Sequence, residues 1–179
     1  MNEKNKLREA KYFFKLMSRN KKNKEKFLYN VSAFLTAARS ILQYSLEEAK
    51  NKINGQIWYD NYISRNIILQ FFKEKRDVNI HEKPITTKLK AEVIMGGNLQ
   101  PTGSLSAKII KRNGEIINLG ELKKPKNTAI DNKSITKVKY SYFFDNWSGN
   151  EDLSTLSKIY LKELNYFISD GIKKGFIDG

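Results

Sequence analysis

The sequence predicts an α+β fold that is mainly α: an antiparallel helical bundle with a small antiparallel β excursion before its C-terminal helix. Three observations carry this expectation. Apolar residues recur at three- and four-residue spacing through roughly the first 75 positions, the period of an amphipathic helix. Gly55 is the only glycine or proline before Pro84, whereas all three prolines and nine of the ten glycines fall at or after it. Beyond Pro84 the texture becomes short and alternating, until helical periodicity returns after residue 150. A chain of 179 residues fits a single domain, with the bundle drawn from residues 4–83 and 150–175 and the excursion from 85–147.

The elements follow in order. Residues 5–18 read as a helix with Leu7, Ala10, Phe14 and Met17 on one side, followed by the basic link Arg19-Asn20-Lys21-Lys22-Asn23-Lys24. Residues 25–51 form the longest helix, whose apolar face carries Phe27, Val31, Phe34, Leu35, Ala38, Ile41, Leu42 and Leu46. A break at Asn54-Gly55 leads to a third helix over about 58–75, with Trp58, Tyr62, Ile67, Ile68, Phe71 and Phe72. These three make the core of the bundle.

Strands are expected at 88–95, 104–111, 115–119 and 135–144, with Asn113-Gly114 as a hairpin turn between the second and third. Gly96-Gly97, Pro101 and Gly103 mark one loop, and Lys123-Lys124-Pro125-Lys126 a second, basic one. Asn150 can cap the returning helix, where Glu151 and Asp152 complement the N-terminal dipole. Its stripe is Leu153, Leu156, Tyr160, Leu164 and Phe167, and it is expected to pack on the first three helices.

Composition excludes several chemistries. The absence of cysteine removes disulfides, thiolate zinc sites and a cysteine nucleophile, and a single histidine rules out a histidine-rich metal site within one chain. Asp145, Glu151 and Asp152 are read as a strand-to-helix cap more simply than as a cation site. Gly96-Gly97 lacks the spacing of a phosphate loop. No run of about 18 apolar residues occurs, and the basic N-terminus precedes an interrupted apolar stretch, so a cytoplasmic chain without a membrane partner is expected.

The net charge of +14 favours polyanionic partners. Of the 33 basic residues 27 are lysine, accompanied by 18 asparagines, so the bias of an A/T-rich genome is a second source of that charge. The paired aromatics Phe13-Phe14, Phe71-Phe72 and Phe143-Phe144 sit within apolar patterns and read as core. Tyr140, Tyr142 and Trp147 read as cross-strand packing in preference to base-stacking platforms.

The strongest chemical signal is the run Lys75-Arg76-Asp77-Val78-Asn79-Ile80-His81-Glu82, directly behind Phe71-Phe72 and just before Pro84. His81 is the only histidine. An imidazole takes and gives protons near neutral pH, and a guanidinium carries a permanent charge that fits phosphate oxygens. The run resembles the Arg-x(4-6)-His motif of the HEPN family, in which a polar residue commonly follows the arginine, here Asp77. The resemblance covers roughly residues 4–83, with 150–174 as a closing helix.

It implies a small helical bundle, commonly dimeric, in which two motifs meet in a cleft that cleaves RNA without a metal or other cofactor. It further implies a role as a toxin or phage-defence component, with RNA, a second copy of the chain and an antitoxin or defence-system protein as partners. Other members keep only a binding role.

Metal-free RNA cleavage needs a base for the 2′-hydroxyl proton, a cation for the phosphorane charge and an acid for the departing 5′-oxygen. One protomer offers one imidazole, so a catalytic form is expected to be a homodimer unless a lysine substitutes. His81 is assigned as general acid or base and Arg76 as phosphate binder, with Asp77 and Asn79 as supporting groups. Lys75 and the link residues Lys21, Lys22 and Lys24 would guide the RNA backbone.

Residues five apart on a regular helix point about 140° apart, so Arg76 and His81 share no face. Either the motif begins at a helix start or break, or each residue works with its counterpart across the dimer. Asp77 and His81, four apart, do share a face. The alternatives are a HEPN-like module that binds RNA, a nucleotide or a protein without cleavage, and an accessory protein in which the motif is a surface pair.

Overall fold

The computed structural model describes residues 2–81, 87–96, 105–110, 116–122 and 135–178. It contains α1 (Asn2–Arg19), α2 (Lys24–Lys50), α3 (Gly55–Ser64), α4 (Ile67–His81), β1 (Thr87–Gly96), β2 (Leu105–Ile110), β3 (Ile116–Leu122), β4 (Ile135–Phe144) and α5 (Leu153–Lys173). The fold is mainly helical, with a smaller β part. Two compact units emerge, residues 1–90 with 140–179, and residues 91–139.

The first unit holds all five helices. Asn23 accepts from the Lys26 amide at 2.9 Å and so starts α2 one short turn after α1 ends. Phe27, Val31, Phe34, Leu35, Ala38, Ile41 and Leu42 are buried, as their spacing requires. Phe34 meets Phe72 and Tyr160 edge-on, and Phe72 stacks on Tyr160 with centroids 4.2 Å apart. This aromatic centre joins α2, α4 and α5. α5 packs against α1, α2 and α4.

The expected third helix is two helices. Asn66 receives the amides of Ile68 and Leu69 on Oδ1, both at 3.1 Å, while its Nδ2 donates to Glu163 at 2.7 Å. Gln70 donates to the Ile63 and Ser64 carbonyls that close α3. Local capping thus interrupts an unbroken apolar periodicity. α4 then continues to His81, so the Arg-to-His segment lies inside a helix instead of following one.

The cap of α5 is Asp152, which accepts from the Thr155 amide at 2.8 Å; the expected cap, Asn150, lies two residues upstream. In the same unit the end of β4 returns to the helices. Tyr142 stacks on Phe27 at 3.9 Å and donates to the Lys21 carbonyl, and Phe144 packs on Phe71 and Phe72. Tyr142 therefore packs on α2.

β1 pairs with β4, and β2 with β3, as two two-stranded sheets. β2 and β3 are antiparallel, with Leu105 opposite Leu122 and Ile110 opposite Ile116. The expected Asn113-Gly114 turn and the basic loop at 123–126 lie outside the described residues.

Candidate functional site on α4

Burial of Leu69, Phe71 and Phe72 fixes α4 against the bundle, so its last two turns emerge at a defined edge. Arg76 lies one turn beyond Phe72, and Asn79 three residues further along the same face. Asn79 donates from Nδ2 to Ser32 Oγ at 2.8 Å, fastening this end of α4 to α2. The hydroxyl of Ser32 was not anticipated from its sequence position.

Arg76 donates from Nη1 to Asp77 Oδ1 at 3.0 Å. Its side chain is 19% exposed and that of Asp77 44%. Arg76 Nε is buried with no hydrogen-bond partner among the described residues. His81 is the last residue of α4, and its side chain lies outside the described part of the chain. The expected Asp77 to His81 pairing therefore falls outside it too. Continuous helix across residues 76–81 excludes a start or break at Arg76 as the means of bringing the two motif residues together.

The expected guiding lysines divide. Lys75 Nζ stands over the Phe71 ring at 5.3 Å and the Phe144 ring at 5.6 Å, held at the edge of the aromatic core. Lys21 pairs with the Asp152 carboxylate at 3.8 Å, and its carbonyl is taken by Tyr142. Lys22 and Lys24 are exposed.

A further group was not recognised in the sequence. Arg39 of α2 lies one turn from both Leu35 and Leu42, which are buried. Its guanidinium stands beside the hydroxyl of Tyr59, where burial pushes the phenol upward and the arginine opposes the push. Tyr160 feels the same opposition. Burial drives its phenol far up, Arg39 counters, and Tyr59 and Asp77 add to the rise. The signal available in the sequence was a cation one turn from two leucines of the apolar face.

A cavity of about 490 Å³ lies elsewhere, lined by Trp58, Asn61, Tyr62, Arg65, Asn66 and Lys174. A second of about 190 Å³ is lined by Ile67, Gln70, Phe71, Glu74, Asn146, Trp147 and Ser148. Neither includes a motif residue. Among the described residues no cluster of three or more histidine or acidic side chains could hold a metal ion, and no helix is long and apolar enough to cross a membrane.

No family model, no curated protein and no solved structure matches this chain.

Proposed function

We propose that this chain is a HEPN-like, metal-independent endoribonuclease that acts as a homodimer in toxin or phage-defence biology. The observation that supports the reading most is the Arg76 guanidinium: half-buried at the edge of α4, oriented by Asp77, with its Nε not engaged, five residues from the only histidine. Such a cation is preorganised for a phosphate oxygen.

In the proposed reaction one His81 imidazole removes the 2′-hydroxyl proton as that oxygen attacks phosphorus. A second, from the partner protomer, protonates the 5′-oxygen as its bond to phosphorus breaks. Arg76 bears the charge that gathers on the non-bridging oxygens. The products are a 2′,3′-cyclic phosphate and a 5′-hydroxyl. Asn79, tied to Ser32, holds the end of the helix rather than touching substrate.

A non-catalytic RNA-binding module is the second reading. It is favoured by the engagement of Asp77 with Arg76, which leaves only one carboxylate oxygen for the imidazole.

Incubation with single-stranded RNA in EDTA tests the proposal. Cyclic-phosphate ends on RNA, and no cleavage of a substrate carrying a single 2′-deoxyribose at the cut site, are expected. Cleavage that needs magnesium, or that survives the 2′-deoxy substitution, would overturn the reaction. Salt-sensitive association without products would support the binding module instead.

A further inference from the structure

Five cations of α1 stand in one row. At the helical step of about 100° per residue, Lys4, Arg8, Lys11, Lys15 and Arg19 fall within an arc of about 80°, and no other residue of α1 falls in that arc. All five are exposed. From Lys4 to Arg19 the row is about 22 Å long, with a positive charge about every 4.5–6 Å. Packing fixes its direction: Leu7, Ala10 and Met17, about 120° round the helix, are buried where α1 lies against α2 and α5.

The row is not neutralised by its surroundings. Among the described residues none of the five enters an ion pair, whereas Lys6, outside the row, is taken by Glu9 at 2.6 Å. Arg8 donates to the neutral side chain of Asn5 at 2.9 Å. Successive members lie three or four residues apart, the spacing at which like charges destabilise a helix. A polyanion laid along the row removes that repulsion. Tyr12 borders the row, 58% exposed and in T-shaped contact with Phe13 at 5.5 Å.

We propose that this row, with Tyr12 beside it, is a docking track for single-stranded RNA, whose phosphates follow the cations while an unpaired base stacks on the tyrosine ring. A bilayer fits less well, because a helix adsorbed on lipid buries its apolar face there and that of α1 is inside the bundle. A duplex fits less well, because stacking on an aromatic side chain needs a base free of its partner. Lys22 and Lys24, exposed in the link, follow the C-terminal end of the row. The track rests on the ribonuclease reading for its choice of RNA as partner, yet it uses no part of His81.

Fluorescence anisotropy of the full chain with a labelled 2′-O-methyl oligouridine, which has no 2′-hydroxyl to attack, measures binding apart from cleavage. Wild type and His81→Ala should bind alike. Lys4→Gln/Lys11→Gln/Lys15→Gln alters only exposed side chains and should keep the circular dichroism of wild type. It should weaken binding at physiological salt by about tenfold or more and lower the salt slope by about 2. Lys158→Gln/Lys162→Gln/Lys173→Gln removes the same charge from exposed positions of α5 and should bind as wild type does. Tyr12→Ala should weaken binding by about fivefold or more.

Equal losses in the two triple variants would assign binding to net charge and overturn the track. So would a wild type that does not bind, or stronger competition by a duplex of the same length or by phosphatidylserine vesicles. Cleavage of natural RNA is scored separately. Cleavage lost in His81→Ala, with unaltered binding in the α1 variant, would leave the ribonuclease reading without the track. Binding lost in the α1 variant, with no cleavage by wild type, would leave the track without the ribonuclease.

Discussion

Arg76 and Asp77, consecutive on α4, are joined by a hydrogen bond of 3.0 Å between Nη1 and Oδ1. The carboxylate that the sequence offers to His81 thus orients the guanidinium. The pair is partly solvated, so its contribution to stability is about 0–1 kcal/mol. Asp77→Ala should leave the urea midpoint nearly unchanged but lower RNA cleavage by about tenfold, as Arg76 would lose its orientation. Wild-type turnover in that variant would show that the guanidinium needs no such support.

Asn79 ties the same helix end to Ser32. Single substitutions Asn79→Ala and Ser32→Ala, with the double variant, should give a coupling of about 0.5–1.5 kcal/mol in urea unfolding. Strict additivity of the two would mean that the bond does not hold α4 to α2.

At the turn between α2 and α3, Asn54 adopts a left-handed conformation with φ of 62°, and a Cβ on Gly55 would run into the carbonyl oxygen of Ala49. Helix propensity alone favours alanine over glycine by about 1 kcal/mol. The clash reverses the sign. Gly55→Ala should lose at least about 1 kcal/mol in chemical unfolding, and a stabilised variant would place the turn differently.

The same end of the bundle carries an acid-sensitive tie. Trp58 Nε1 donates to Asp170 at 2.8 Å, and Lys174 donates to the same oxygen at 2.9 Å. Burial pushes the Asp170 carboxyl up, but the hydrogen bonds from Lys174 and Trp58, with the charges of Lys174 and Lys173, hold it below its usual value. A folded pKa below the unfolded one gives stability that is present above the unfolded value and lost as pH falls through the folded one. Asp170→Asn keeps an acceptor for Trp58 and should flatten the decline in melting temperature between neutrality and about pH 3. An unchanged acid slope would assign the sensitivity to other carboxylates.

Much of the bundle was legible because its cause is periodic. The buried faces of α1, α2 and α5 follow the spacing of Leu7 to Met17, Phe27 to Leu42 and Leu153 to Phe167, and burial selects those positions. The division of α3 from α4 was hidden, since it turns on the side chain of Asn66 bonding two amides within a run whose apolar pattern does not pause. The helix cap at Asp152 was displaced from Asn150 by the same kind of short-range competition.

At the site, proximity of Arg76, Asp77 and Asn79 followed from their neighbouring positions. Their partners did not, because Ser32 lies 47 residues away and only packing of α2 on α4 brings it near. Arg39, Tyr59 and Tyr160 each look like an ordinary residue within a helical pattern, and the influence of Arg39 on both phenols arises only when three helices meet. Lys21 was read from a basic run as guiding RNA, and the long-range pairing of its ammonium with Asp152 at 3.8 Å was not visible in that run.

The most direct measurement is the rate of RNA cleavage in EDTA by four purified proteins with matched circular dichroism: wild type, His81→Ala, Arg76→Ala and the double variant Lys22→Gln/Lys24→Gln. His81→Ala and Arg76→Ala should each fall by about 100-fold or more, as for removal of an acid–base group or a charge stabiliser. The lysine variant should keep its maximal rate and show only a shallower salt dependence of binding, by about 0.7 for each RNA phosphate no longer neutralised. Cleavage by His81→Ala at the wild-type rate would contradict the assignment of α4 as the catalytic element.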